Sequence, residues 1–170
     1  MVFVYVTGIA TREEATWAVS RNVSAIGIPL GYEQGAFQAE TARDIFFSLP
    51  FYIWKVGIFC RTSPYDIGEL ASFCHLDICH FRQTPESALY SEGQRILQES
   101  LTPAEHCDGW ILPLKNGEEP RMTSKKTLLL SGDFPVAIWQ DLLPRYSAQG
   151  FVLDFHKPHT EEVLAWLTKK

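Results

Sequence analysis

The feature that most constrains this chain is the regular alternation of short β-rich apolar runs with amphipathic segments. Val2–Val6 (VFVYV) is a continuous apolar run ending at Thr7-Gly8, the pattern of a strand buried on both faces. Thr11-Arg12-Glu13-Glu14 follows, a capping box in which hydroxyl and carboxylate satisfy each other's helix-start amides. Ala15, Ala18 and Val19 give that helix one apolar side. Further runs at Ala25–Leu30, Trp54–Phe59, Leu76–Phe81, Arg95–Leu101, Gly109–Leu114, Thr127–Ser131 and Gly150–Phe155 bring the predicted strands to eight. Helical stripes separate several of them: Ala42, Ile45, Phe46 and Leu49; Ile67, Leu70, Ala71 and Cys74, opened by Ser63-Pro64; Ile138, Trp139, Leu142 and Leu143, stopped by Pro144; and Val163, Leu164 and Leu167. Proline suits the first helical position because its missing N–H has no partner to lose there.

Parallel neighbours need a crossover connection, and strands alternating with helices supply one. Eight such strands argue for closure into an α/β (β/α)8 TIM barrel, one domain over residues 1–170. Barrels of this kind typically take about 250 residues and rarely fewer than about 200; this chain has 170. The saving falls around strands five to seven. Residues 102–108 leave room for about one helical turn, and residues 115–126 (KNGEEPRMTSKK) carry no helical stripe. The result is a minimal barrel with reduced or missing helices there, its bare exterior covered by a self-association interface or by its own long loops. Trp54 and Trp110, at strand starts, are placed to face outward, and an exposed apolar stripe there would mark a partner surface, including a homo-oligomer contact.

The net charge of −5 gives no global field to attract nucleic acid or an anionic membrane, so neither is expected as a partner. No apolar run approaches the roughly 18 residues that span a bilayer. The opening residues lack the basic region and cleavage site of a signal peptide. Cys60, Cys74, Cys79 and Cys107 show no disulfide-scaffold spacing. They read as reduced thiols, and the expected compartment is the cytoplasm.

Residues 5–62 carry a specific resemblance. Val6-Thr7-Gly8-Ile9, Glu13-Glu14-Ala15 and Ser24-Ala25-Ile26-Gly27 resemble the opening of phosphoribosylanthranilate isomerase. That family begins with a lysine-isoleucine-cysteine-glycine-isoleucine-threonine strand and continues with an alanine-leucine-glycine-phenylalanine strand. Glu40-Thr41-Ala42, Leu49-Pro50 and Lys55-Val56-Gly57-Ile58-Phe59 are similar to its next helix and its lysine-valine-glycine-valine-phenylalanine strand. Leu76-Asp77 opens the segment the family ends with glutamine-leucine-histidine-glycine, and the likeness weakens after Glu86.

The resemblance implies a tryptophan-biosynthesis isomerase performing an Amadori rearrangement, in which an acid protonates the furanose ring oxygen and a base takes the C2′ proton. The family's base is a cysteine ending strand one, and its acid is an aspartate ending strand six. Thr7 and Pro113 stand at those positions. The family holds its phosphate on alanine-glycine-glycine and serine-serine-glycine turns after strands seven and eight, where small residues let the backbone approach an anion. Ser131-Gly132-Asp133 and Asp154-Phe155-His156 replace them here, with Lys157 beside them. The family's arginine after strand two aligns with Gly35, and its strand-four glutamine and histidine align with His80 and Arg82. The chain is therefore expected to keep the barrel without the isomerase activity, as a binding or assembly protein. The alternative is an active enzyme, on the original substrate or another small molecule, using displaced residues at the C-terminal strand ends.

Candidate ligand-binding residues are Thr7, Cys60, His80, Arg82, Gly132, Asp133, Asp154 and His156, with a small anionic molecule as the candidate ligand. Cys74-His75 and Cys79-His80 have zinc-like residue types. Strand alternation nonetheless points Cys79 and His80 to opposite faces, so no metal is expected, nor any cofactor. A Cys60–His80 nucleophilic pair is the remaining catalytic option, set against two polar residues lining a relict pocket.

Overall fold

Inter-strand hydrogen bonds join the eight strands into one closed parallel barrel in strict sequence order. The computed structural model describes residues 2–31, 36–83, 93–101, 107–114 and 127–168. The strands are β1 (Phe3–Thr7), β2 (Ala25–Pro29), β3 (Trp54–Phe59), β4 (Ile78–Phe81), β5 (Arg95–Glu99), β6 (Gly109–Pro113), β7 (Thr127–Ser131) and β8 (Gly150–Asp154). The helices are α1 (Arg12–Ser20), α2 (Ala39–Ser48), α3 (Pro64–Cys74), α4 (Val136–Arg145) and α5 (Thr160–Leu167). The predicted bounds hold to within two residues. The largest corrections are β4, which opens at Ile78 rather than Leu76, and β5, which ends at Glu99 rather than Leu101. Pro144 lies inside the last turn of α4 instead of stopping it. A proline this close to the end removes one helical bond, and Tyr146 and Ser147 close the turn by donating to the carbonyls of Leu142 and Pro144.

Helix α1 begins as the capping box requires. The Glu14 amide donates to Thr11 Oγ1 (3.2 Å), and Glu14 Oε2 accepts from the amides of Thr11 (3.1 Å) and Ala10 (2.7 Å). Thr11→Ala is expected to cost about 1 kcal/mol and to lower the melting temperature by about 2–4 °C. An unchanged thermal melt would show that the cap contributes nothing.

Strand alternation divides the apolar residues into two cores. Tyr5, Ala25, Val56, Ile58, Ile78, Leu97, Ile111, Leu129 and Val152 fill the barrel. Val4, Val6, Ile26, Ile28, Phe59, Cys79, Phe81, Leu112 and Leu130 point outward, and α1, α2, α3 and α5 add Ala15, Phe46, Ala71 and Leu164 to the same layer.

Trp110 corrects one expectation. It points outward but is fully buried, its indole N–H donating to the Ser100 carbonyl (2.7 Å). Its outward neighbours Leu112, Leu128 and Leu130 are 3% exposed or less, so the expected exposed apolar stripe is not seen at these residues. Trp54 also departs from expectation. It packs at the base of the barrel interior, with the Arg95 guanidinium 4.9 Å from its ring centre. Among the described residues, no helix is long and apolar enough to cross a membrane.

Candidate functional site

The inward-facing residues at the C-terminal strand ends converge on a cavity of about 210 Å³. Thr7 of β1, His80 of β4, Glu99 of β5, Ser131 of β7, and Val152 and Asp154 of β8 line it, and Arg82, Gly132, Asp133 and Lys157 add the loops above. This is the end of the barrel where such folds place their chemistry.

A polar row crosses the barrel interior beneath the cavity. The Tyr5 hydroxyl lies 3.0 Å from His80 Nδ1, and His80 Nε2 lies 3.2 Å from Glu99 Oε2. Barrel interiors are ordinarily filled with branched apolar side chains, so a polar row there costs free energy unless every member is paired. It is paired. Burial raises the Tyr5 phenol well above its ordinary value, Arg82 opposes this and Glu99 adds to it, so the hydroxyl stays protonated and donates to His80. Burial likewise lowers the His80 imidazole below 6.5, against the raising influence of Glu99. A neutral ring that accepts at Nδ1 carries its proton at Nε2 and donates it to Glu99. Burial raises the Glu99 carboxyl, but the His80 hydrogen bond, the charge the ring acquires once it protonates in acid, and the charge of Arg82 together hold it below its ordinary range. Glu99 therefore reaches the cavity as an oriented carboxylate. Gly27 makes the row possible: a Cβ at that position would collide with the Tyr5 hydroxyl and ring.

The loops after β7 and β8 are closed from within. The His156 amide donates to Asp154 Oδ1 (3.0 Å), and the His159 amide donates to Asp133 Oδ1 (3.2 Å). The amides of Phe155, Lys157 and Thr160 donate to the carbonyls of Thr7, Asp154 and Lys157. Phe155 turns away to pack edge-on against Trp17, with ring centres 5.4 Å apart. The Phe134 ring lies where a side chain at Gly132 would sit.

Of the residues singled out from sequence, Thr7, His80, Arg82, Gly132, Asp133 and Asp154 meet at the cavity. Cys60 and His156 do not line it, and Gly35 lies outside the described residues. Thr7 Oγ1 donates to the Leu153 carbonyl at 3.4 Å. Pro113 ends β6 opposite Ser131. Cys74 and His75 close α3 on the outer layer, where Cys74 Sγ lies 3.7 Å from the Ala39 carbonyl and His75 meets the Phe47 ring edge-on. His80 is inside the barrel, so the two Cys-His pairs do not converge.

Sequence reasoning missed Glu99 and Tyr5. Alternation held the signal for Glu99, since a strand with Leu97 facing inward must also turn residue 99 inward.

No protein-family model matches the chain. It is 38% identical over 86 residues to the N-(5'-phosphoribosyl)anthranilate isomerase of Desulfitobacterium hafniense (strain DSM 10664 / DCB-2), a match covering 50% of this chain and 36% of that enzyme. The isomerase of Moorella thermoacetica is 31% identical over 99 residues, covering 58% of this chain and 44% of the enzyme. The isomerase of Thermotoga maritima is 25% identical over 146 residues, covering 85% and 71%. The matched part of the chain thus spans less than half the length of each of the first two enzymes. In fold, it superposes on a phosphoribosyl anthranilate isomerase solved with reduced 1-(o-carboxyphenylamino)-1-deoxyribulose 5-phosphate, with TM-score 0.77, 18% identity and coverage of 99% of this chain and 97% of that one. A second such isomerase, from Thermus thermophilus, gives TM-score 0.76 at 18% identity, covering 98% of each chain.

Proposed function

For this divergent relative of the phosphoribosylanthranilate isomerases, we propose a barrel that has given up the rearrangement and now binds a small molecule at its mouth. The observation that carries this reading is the pair of strand ends where the resemblance puts base and acid. One holds the Thr7 hydroxyl, donated to the Leu153 carbonyl, and the other holds Pro113, which has no side-chain proton to move. A base that takes a carbon-bound proton near neutral pH needs a pKa near the working pH, and a threonine hydroxyl lies far above it. Cavity size supports the same reading. About 210 Å³ falls below the roughly 300–1,000 Å³ of pockets that take drug-sized ligands, whereas one related isomerase holds a carboxyphenylamino ribulose phosphate.

One observation favours retained enzymatic activity: Glu99 is a carboxylate, oriented by His80, that faces the cavity. The two readings separate in a tryptophan auxotroph that lacks its own isomerase. Expression of this chain is expected to leave growth dependent on added tryptophan, and growth without tryptophan would overturn the proposed loss.

A further inference from the structure

The geometry points to a small, uncharged, unphosphorylated polyol of about pentose size as the ligand of this mouth, with Glu99 as its principal acceptor. This inference rests on the reading of the site as a binding site and names what it binds. The wall mixes acceptors with donors. Glu99, Asp133 and Asp154 present carboxylate oxygens, while Arg82, Lys157 and Ser131 present N–H and O–H groups. Each hydroxyl of a polyol donates one hydrogen bond and accepts up to two, so a run of hydroxyls can satisfy both kinds of group at once. The cavity's roughly 210 Å³ is the liquid volume of roughly seven waters, which suits a pentose and not a nucleotide.

Two independent features set the charge of the ligand. The first is Glu99, whose Oε2 accepts from His80 and which enters the cavity ionised, so it calls for a proton donor. The second is the pair of loop carboxylates. Loops after strands seven and eight of such barrels offer backbone amides to phosphate. Here the amides of His156 and His159 donate to Asp154 and Asp133 instead. A phosphate would have to displace these carboxylates and then sit among three like charges, with two cations to offset them. Asp133 and Asp154 therefore determine specificity by holding the anion's place.

Calorimetric titration of the purified chain with D-ribose, xylitol and D-ribose 5-phosphate tests this. The wild-type protein is expected to bind ribose or xylitol in the millimolar range and the phosphate ester at least about tenfold more weakly. Glu99→Gln keeps an oxygen for His80 but loses the charge, and should weaken polyol binding about tenfold. The double variant Asp133→Ala/Asp154→Ala should gain affinity for ribose 5-phosphate by a similar factor. Three results would each overturn the inference: no binding of either polyol, a wild-type preference for the phosphate ester, or unchanged polyol affinity in a folded Glu99→Gln variant. If that variant does not fold, the wild-type preference between ribose and its phosphate decides alone. Isomerase turnover alongside a polyol preference would sink only the proposed loss of activity. Absence of polyol binding without turnover would sink only the ligand assignment.

Discussion

His80→Leu is expected to destabilise the barrel by about 3 kcal/mol, lowering the melting temperature by roughly 6–12 °C for a domain of this size. The substitution keeps the volume apolar but strips both neighbours at once. The Tyr5 hydroxyl, in a fully buried residue, loses its acceptor, and Glu99 loses the N–H that holds it. Leaving a buried polar group unpaired costs far more than the pair contributes net when intact. A companion effect appears in the pH dependence. Burial sets the folded His80 pKa below its ordinary 6.5, so between those two values the unfolded chain binds more protons than the folded one. Stability then rises with pH through that window, is complete above about pH 6.5, and is lost as pH falls. Glu99, also lowered on folding, acts with the same sign below its ordinary 4.5. The wild-type melting temperature should therefore fall between pH 7 and pH 5, and the fall should be much shallower in His80→Leu. Parallel profiles for the two proteins would show that His80 is not buried in its neutral form.

Gly150→Ala is expected to cost about 3 kcal/mol or more, because the obstacle it meets is backbone. Gly150 pairs with Phe3 where β8 closes onto β1, and the Phe3 amide donates to the Gln149 carbonyl at 2.8 Å. A Cβ on Gly150 would collide with the Phe3 carbonyl oxygen. No rotamer change relieves that contact, so the ladder that closes the barrel must open. Gly68 provides the contrast. It lies inside α3, and a Cβ there meets nothing within 4 Å. Gly68→Ala should therefore stabilise by about 0.5–1 kcal/mol through helix propensity alone. Equal melting temperatures for the two variants would remove the argument from barrel closure.

The barrel was legible because its determinants are local. Apolar runs such as Val2–Val6 and Trp54–Phe59 are long enough to reveal strands, and Thr11 to Glu14 spell out a helix start. The capping box and the Ser63-Pro64 start both appear in the structure, Ser63 accepting from the Asp66 amide at 3.2 Å. The covering of Trp110 was not legible, since burial on the outer face depends on what the rest of the chain lays over it. Thr7, His80, Arg82, Gly132, Asp133 and Asp154 were legible through the resemblance, which aligns them with the family's site positions at strand ends and in the turns beyond them. Cys60 also follows a strand, yet it does not line the cavity. The Tyr5–His80–Glu99 row was missed because its members come from three strands and meet only when the barrel closes. Tyr5 reads in sequence as one more apolar residue of β1. Only the space left by Gly27, on the neighbouring strand, lets its hydroxyl reach His80.

The proposed loss of the isomerase reaction meets its closest test in direct turnover of phosphoribosylanthranilate by the purified, folded chain. With Thr7 and Pro113 where the resemblance puts base and acid, the expected rate is indistinguishable from that of buffer, in a protein that still melts cooperatively. Turnover above buffer that disappears in Glu99→Gln would contradict it and make Glu99 the displaced base.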